Sequence, residues 1–267
     1  MARALTTLGL DVDLTADPWR YPGPSATTAG LLHAGSFHPL READGGWVDD
    51  DDAPLDTLLL RAGAPGVGAR HAVVGIGSNA APAVLDRKLA GAGVPTTVPL
   101  LTARATGLAV GHLPHVNPRG YVAAVPLART RAGTGTPESA DLAVVVVLLT
   151  TEQVAALDAT EPRYLRRTGA HDVHGVDLAG LAGPWSLYVS RLGAVADDDG
   201  APLPRSSQED LWRTLRHDQV LAALVGHGDH RAVARRLAGD AVLRDQVSAR
   251  LVERGTPSTG LESLAPA

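Results

Sequence analysis

The chain has 267 residues, a formal net charge of -5, 45% hydrophobic and 20% charged residues, a length and balance that allow a full buried core. The mild acidity and the absence of any Lys/Arg run argue against a nucleic-acid surface. The lack of cysteine excludes disulfides, thiolate metal sites and a cysteine nucleophile.

Residues 1–54 read as an irregular N-terminal arm punctuated by Pro18, Pro22 and Pro24 and closed by Asp49 to Asp52. Within it Gly30 to Pro39 has the pattern of a hairpin turning at Ala34-Gly35, with Leu31 and Leu32 before the turn and Phe37 after it. The acidic run reads as a solvated loop rather than a cation site. Leu55 to Arg61 is a short helix. No sustained apolar region follows the first residues, and Val144 to Leu149 is far short of the ~20 apolar residues that span a bilayer. The expected setting is the cytoplasm, with no membrane partner.

From His71 an apolar strand runs into Gly75-Ile76-Gly77-Ser78-Asn79, and a helix follows from Pro82 to about Ala90. Two glycines free the turn in φ, and Ser78 and Asn79 can bond local backbone, so successive N–H groups can converge on one point. That is an anion or oxyanion cradle. Val98 to Ala105, Leu108 to His112, Gly120 to Leu127 and Leu142 to Leu149 are strand candidates, β-branched or apolar runs bounded by Gly, Pro and Asn. The last has no polar alternation and should be covered on both faces.

Thr150 or Thr151 caps a helix ending at Glu161, because Pro162 disfavours the α conformation in the residue before it. Arg163 to Thr168 and Pro184 to Arg191 are further strands. From Ser206 the apolar residues recur with period 3.6, predicting two or three C-terminal helices. The predicted organisation is an arm (1–54), a core (55–205) and a C-terminal helical extension (206–267).

The turn also fits G-x-G-x-x-A, the dinucleotide pattern, which requires an acid about 20 residues on to hold a ribose. Val94 to Val98 supplies none, and the following strands lack a crossover helix. A dinucleotide-binding protein is therefore the weaker alternative. His112/His115, His171/His174 and His227/His230 repeat H-x-x-H, but none has the i, i+4 helical frame of a zinc motif, so no metal is expected.

Taken together, Gly77-Ser78-Asn79 after an apolar strand, Gly120-Tyr121-Val122 in a later strand, and Leu157-Asp158-Ala159-Thr160-Glu161 followed by Tyr164 and Arg166 resemble the γ-glutamylcyclotransferase-like family over about residues 70–192. The resemblance implies an α+β fold with a mixed, barrel-like curled sheet of about six strands, flanking helices and the added C-terminal helices. It implies internal aminolysis: the α-amine of a γ-glutamyl group attacks its own γ-carbonyl, releasing 5-oxoproline and an amine. By position, Glu161 is the acid/base, while Ile76, Gly77, Ser78, Asn79, Tyr121 and Tyr188 contact a γ-glutamyl or related amide, with no cofactor.

Two positions depart from the family pattern. Ile76 stands where a tyrosine usually precedes the turn, and Pro162 where glycine commonly follows the glutamate. A non-catalytic small-molecule binding module on the same fold is the main alternative. The bland readings are a surface Glu161 paired with Arg163 or Arg166, and a turn that only caps the next helix.

Overall fold

The computed structural model describes residues 2–44, 46–105, 107–128, 142–168, 173–174, 185–257, 259–262 and 264–267. In chain order it holds β1 (Arg3–Ala4), β2 (Gly30–His33), β3 (Ser36–Pro39), β4 (Arg41–Ala43), β5 (Gly46–Val48), α1 (Leu55–Arg61), β6 (His71–Gly75) and α2 (Pro82–Gly91). Then come β7 (Val98–Ala105), β8 (Leu108–Val116), β9 (Val122–Ala128), β10 (Leu142–Leu149), α3 (Thr151–Ala159), β11 (Tyr164–Thr168), β12 (Val173–His174), β13 (Ser186–Ser190) and β14 (Ala194–Val195). The C-terminal part contains α4 (Gln208–Leu215), α5 (Gln219–Val225), α6 (His230–Gly239), α7 (Ala241–Glu253), β15 (Gly255–Thr256) and β16 (Ala265–Pro266).

The main sheet is mixed, in the order β1-β3-β2-β7-β10-β6-β13-β11-β16, with β12 also paired to β7. Its centre is β10, whose Val144 to Leu149 are buried and which pairs antiparallel with β6 (Val146 opposite Val74) and β7 (Val146 opposite Leu101). Alternate residues serve opposite faces. Val145, Val147 and Leu149 pack with Leu85 and Leu89 of α2 and Val154 and Leu157 of α3. Val144, Val146 and Leu148 pack with Leu55 and Leu59 of α1. An unbroken apolar strand is what such two-sided covering demands.

The α+β class expected from the sequence holds. The sheet differs in extent: it has ten strands, and its path stays open with no barrel closure among the described residues. Three of the strands, β1 to β3, come from the arm, β12 and β16 are short additions, and β8 and β9 stand apart. The arm's predicted hairpin is present, turning at Ala34 (φ 47) and Gly35 (φ 72), and β2 pairs with β7 through Leu32 and Val98. Leu5, Val12, Leu14 and Phe37 join the core around Val73 and Val147. The acidic run closes a turn in which the Asp49 carboxylate accepts the N–H groups of Asp51 and Ala53.

Strands β8 and β9 form a separate hairpin against which the C-terminal helices pack. Among the described residues these are four helices, started by Ser207, Asp218, Asp229 and Asp240 as side-chain N-caps. Trp212, Leu215, Leu221, Leu237 and Leu251 bury against Val116 and Val122. Gln208 clamps Val122 by accepting its N–H and donating to its carbonyl, both at 2.9 Å. Gly120, at φ 90, sits where a Cβ would lie 2.0 Å from the Ala234 carbonyl oxygen of α6, so only glycine permits this approach. Among the described residues no helix is long and apolar enough to cross a membrane.

Candidate functional site

The turn after β6 leaves three backbone donors unused. Ser78 to Ala80 form a single 3-10 turn, in which Ala80 N–H bonds the Gly77 carbonyl and Ala81 N–H that of Ser78. Among the described residues, the N–H groups of Gly77, Ser78 and Asn79 have no acceptor. Pro82 then opens α2, where its missing N–H costs nothing. Arg205 fixes the other side of the turn by donating from its guanidinium to the Ile76 carbonyl at 3.0 Å.

Glu161 arrives from the other end of the core. The capping box of Thr150 and Gln153 starts α3, and the helix ends at Ala159 with Thr160 as C-cap, immediately before Glu161 and Pro162. This places the Glu161 carboxylate against the turn: Asn79 Nδ2 donates to Glu161 Oε1 at 3.1 Å. Both line one cavity of about 610 Å³, together with Ile76, Gly77, Ser78, Tyr121 and Tyr188. The residues expected to meet a ligand and the expected acid/base thus line one space. Its volume lies within the usual range of small-molecule sites.

The partner of Glu161 was not foreseen. Lys88, in the last turn of α2, donates from Nζ to Glu161 Oε1 at 2.6 Å and to Asn79 Oδ1 at 2.8 Å. The three side chains close a triangle, with Lys88 and Glu161 side chains only 20% and 14% exposed. The alternative surface pairs with Arg163 or Arg166 do not form among the described residues. Arg166 instead donates to Asp158 from Nε at 3.0 Å and Nη2 at 3.2 Å, and the Tyr188 hydroxyl donates to the same carboxylate at 2.7 Å. Tyr188 therefore braces α3. Burial, then its bond to Asp158, raises its pKa far above the usual phenol value.

A second unforeseen residue is Tyr21, from the arm. Its ring stacks on Tyr121 with centroids 4.3 Å apart and planes 16° off parallel. Its hydroxyl accepts the Ala124 N–H at 2.8 Å and lies 2.7 Å from where a Gly77 Cβ would be. A phenol from a distant part of the chain thus lies beside the turn that holds Ile76. The arm is pinned nearby, where Arg235 and Arg231 of α6 lie 4.8 and 5.6 Å from the Trp19 ring centre.

Burial keeps the tyrosines of this wall protonated. It pushes Tyr121 up to about 12, raises Tyr21 and Tyr164 further, and leaves them hydrogen-bond donors. Tyr164 spends its proton on the Ala124 carbonyl at 2.8 Å. Among the described residues the cavity's charged lining is one-sided: Arg87, Lys88, Arg119 and Arg163 line it with a single carboxylate, Glu161, and Arg87 is itself paired with Asp11 at 2.7 Å. His115 adds no fixed charge near neutrality, since burial first and Arg163 next lower its pKa. An anionic group on a ligand suits this lining.

The histidine pairs divide. His112 is buried and accepts the Ser206 N–H at 3.0 Å, His230 faces Glu209, and His171 and the His174 side chain lie outside the described residues. Among the described residues no cluster of three or more His, Cys, Asp or Glu could hold a metal. No family model, curated protein or solved structure matches the chain.

Proposed function

We propose that this cavity binds a γ-glutamyl or related amide and cleaves it by internal aminolysis, releasing 5-oxoproline and an amine, as the resemblance to γ-glutamylcyclotransferase-like proteins implies. The observation that carries the reading is the meeting of Glu161 with the three unused N–H groups of residues 77–79 in one cavity. Aminolysis needs fixed donors where the carbonyl oxygen gains charge, and a base beside the attacking amine. The excess of arginine around the cavity suits the α-carboxylate of a glutamyl group. Neither a metal nor an organic cofactor enters this chemistry, and a cysteine-free chain fits the cytoplasm.

The Lys88–Glu161 ion pair also favours a second reading. A carboxylate balanced by an ammonium and an amide can serve purely to recognise a ligand, making the domain a binding module without turnover. The two are separated by incubating the protein with a panel of γ-glutamyl peptides and amines. Equimolar 5-oxoproline and amine support the enzyme; heat of binding in calorimetry without either product supports the module. Neither heat nor product overturns both.

A further inference from the structure

We propose that Lys88 is a proton carrier of this site, sharing the acid/base work with Glu161, an inference that rests on the aminolysis reading above. Lys88 is the one lysine among 24 basic residues, and it lies in the cavity with Nζ on Glu161 and on Asn79. Everywhere else this chain uses arginine as its cation. Arginine cannot give up its proton in a protein, whereas an ammonium can. A position that needed only positive charge could carry the residue used at the other 23.

The reaction supplies the reason for two carriers. The substrate begins with an α-ammonium of three protons, and the lactam nitrogen of 5-oxoproline keeps one, so two protons must leave that nitrogen. The Glu161 carboxylate takes the first. The freed amine attacks the γ-carbonyl carbon, closing the ring C–N bond, while the carbonyl oxygen gains charge at the N–H groups of residues 77–79. Glu161, now protonated, cannot accept the second proton.

The Lys88 ammonium gives its proton to the amide nitrogen as the bond from that nitrogen to the carbonyl carbon breaks. The resulting neutral amine then takes the second proton from the ring nitrogen. Glu161 passes its own proton to the departing amine, which leaves as an ammonium. Both side chains return to their starting states, and two protons have moved from attacking to leaving nitrogen. Asn79 keeps the carriers together by donating to one and accepting from the other.

The test exploits two features of the composition, one lysine and no cysteine. Lys88→Arg keeps the charge and Lys88→Cys removes it; alkylating the cysteine with bromoethylamine rebuilds an amine at that site alone. If Lys88 carries protons, kcat for 5-oxoproline release falls about 100-fold or more in both variants, the general acid–base range, with KM changed only a few-fold. Aminoethylation of Lys88→Cys restores at least tenfold. Lys88→Arg with wild-type kcat overturns the inference and leaves aminolysis standing, while wild-type protein that makes no 5-oxoproline overturns both.

Nitrogen-15 labelling of lysine gives a second measurement without turnover, because the protein has a single side-chain amine to observe. Its resonance should move on Glu161→Gln. A resonance indifferent to that change means the pair does not form in solution, and the inference fails.

Discussion

Two carboxylates in this protein sit among cations and do opposite things with them. Asp218, its side chain 4% exposed, accepts the N–H groups of Val220 and Leu221 at the start of α5, and bonds from Arg250 at 2.6 and 3.0 Å and Arg254 at 3.1 Å. Both oxygens are taken. Burial works to raise its pKa, but the bonds from Arg250, Leu221 and Arg254 outweigh it and hold the carboxyl well below the usual range. Glu161 uses only Oε1, for Lys88 and Asn79, and among the described residues Oε2 has no partner. A saturated carboxylate fastens helices together, whereas one with a spare oxygen on a cavity wall can meet a ligand.

The sharpest way to break this contrast is to neutralise each acid in turn. Glu161→Gln should lower 5-oxoproline release about 1000-fold, within the general acid–base range, while the melting temperature changes little. Asp218→Asn should do the reverse, costing about 3 kcal/mol in a urea titration because it strands two arginines in a half-buried site, with kcat per folded molecule unchanged. If Asp218→Asn impaired turnover as much as Glu161→Gln, the division between a fastening and a reacting carboxylate would collapse.

Acid titration separates the same regions more gently. Burial, reinforced by the charge of Arg205, lowers His112 from 6.5 to about 4. Between those values the unfolded chain binds the proton and the folded one does not, so stability falls as pH drops from about 6.5 to about 4, by at most ~1.4 kcal/mol per unit from this group. His112→Gln should flatten that slope in denaturation followed across the window. Asp218, with its lowered pKa, adds stability present above about pH 4 and lost below it, so its loss follows that of His112.

The smallest expected effect concerns the turn. In Gly77→Ala the new Cβ would meet the Tyr21 hydroxyl at 2.7 Å. The arm should shift at a stability cost of about 1 kcal/mol, with a clear loss of turnover, whereas Tyr21→Phe combined with Gly77→Ala should recover much of that stability. Melting curves of the single and double variants test this coupling.

How much of this was legible beforehand follows from the range of each interaction. The α3 helix with its Thr150 cap, the apolar β10 run and the Gly30 to Pro39 hairpin are set by neighbours a few residues apart, and each is where the pattern places it. Glu161 and residues 77–79 could be paired only through a resemblance, and the geometry brings them within 3.1 Å. Lys88 and Tyr21 reach the site across the fold, so no local pattern marks them. Lys88 did leave one trace, its uniqueness in the composition, which reads as codon bias until its position is known. The sheet was underestimated for a related reason: β2 of the arm and β12 pair with β7, and β16 with β11, by non-local register, which hairpin and helix signals do not encode.

The most direct test of the central claim is a structure of the Glu161→Gln protein soaked with a slowly cleaved γ-glutamyl amide. The γ-carbonyl oxygen should lie within about 3.1 Å of the N–H groups of residues 77–79, with the α-amine beside position 161. An amide bound elsewhere, or one in this cavity with its γ-carbonyl turned away from those N–H groups, would contradict the account.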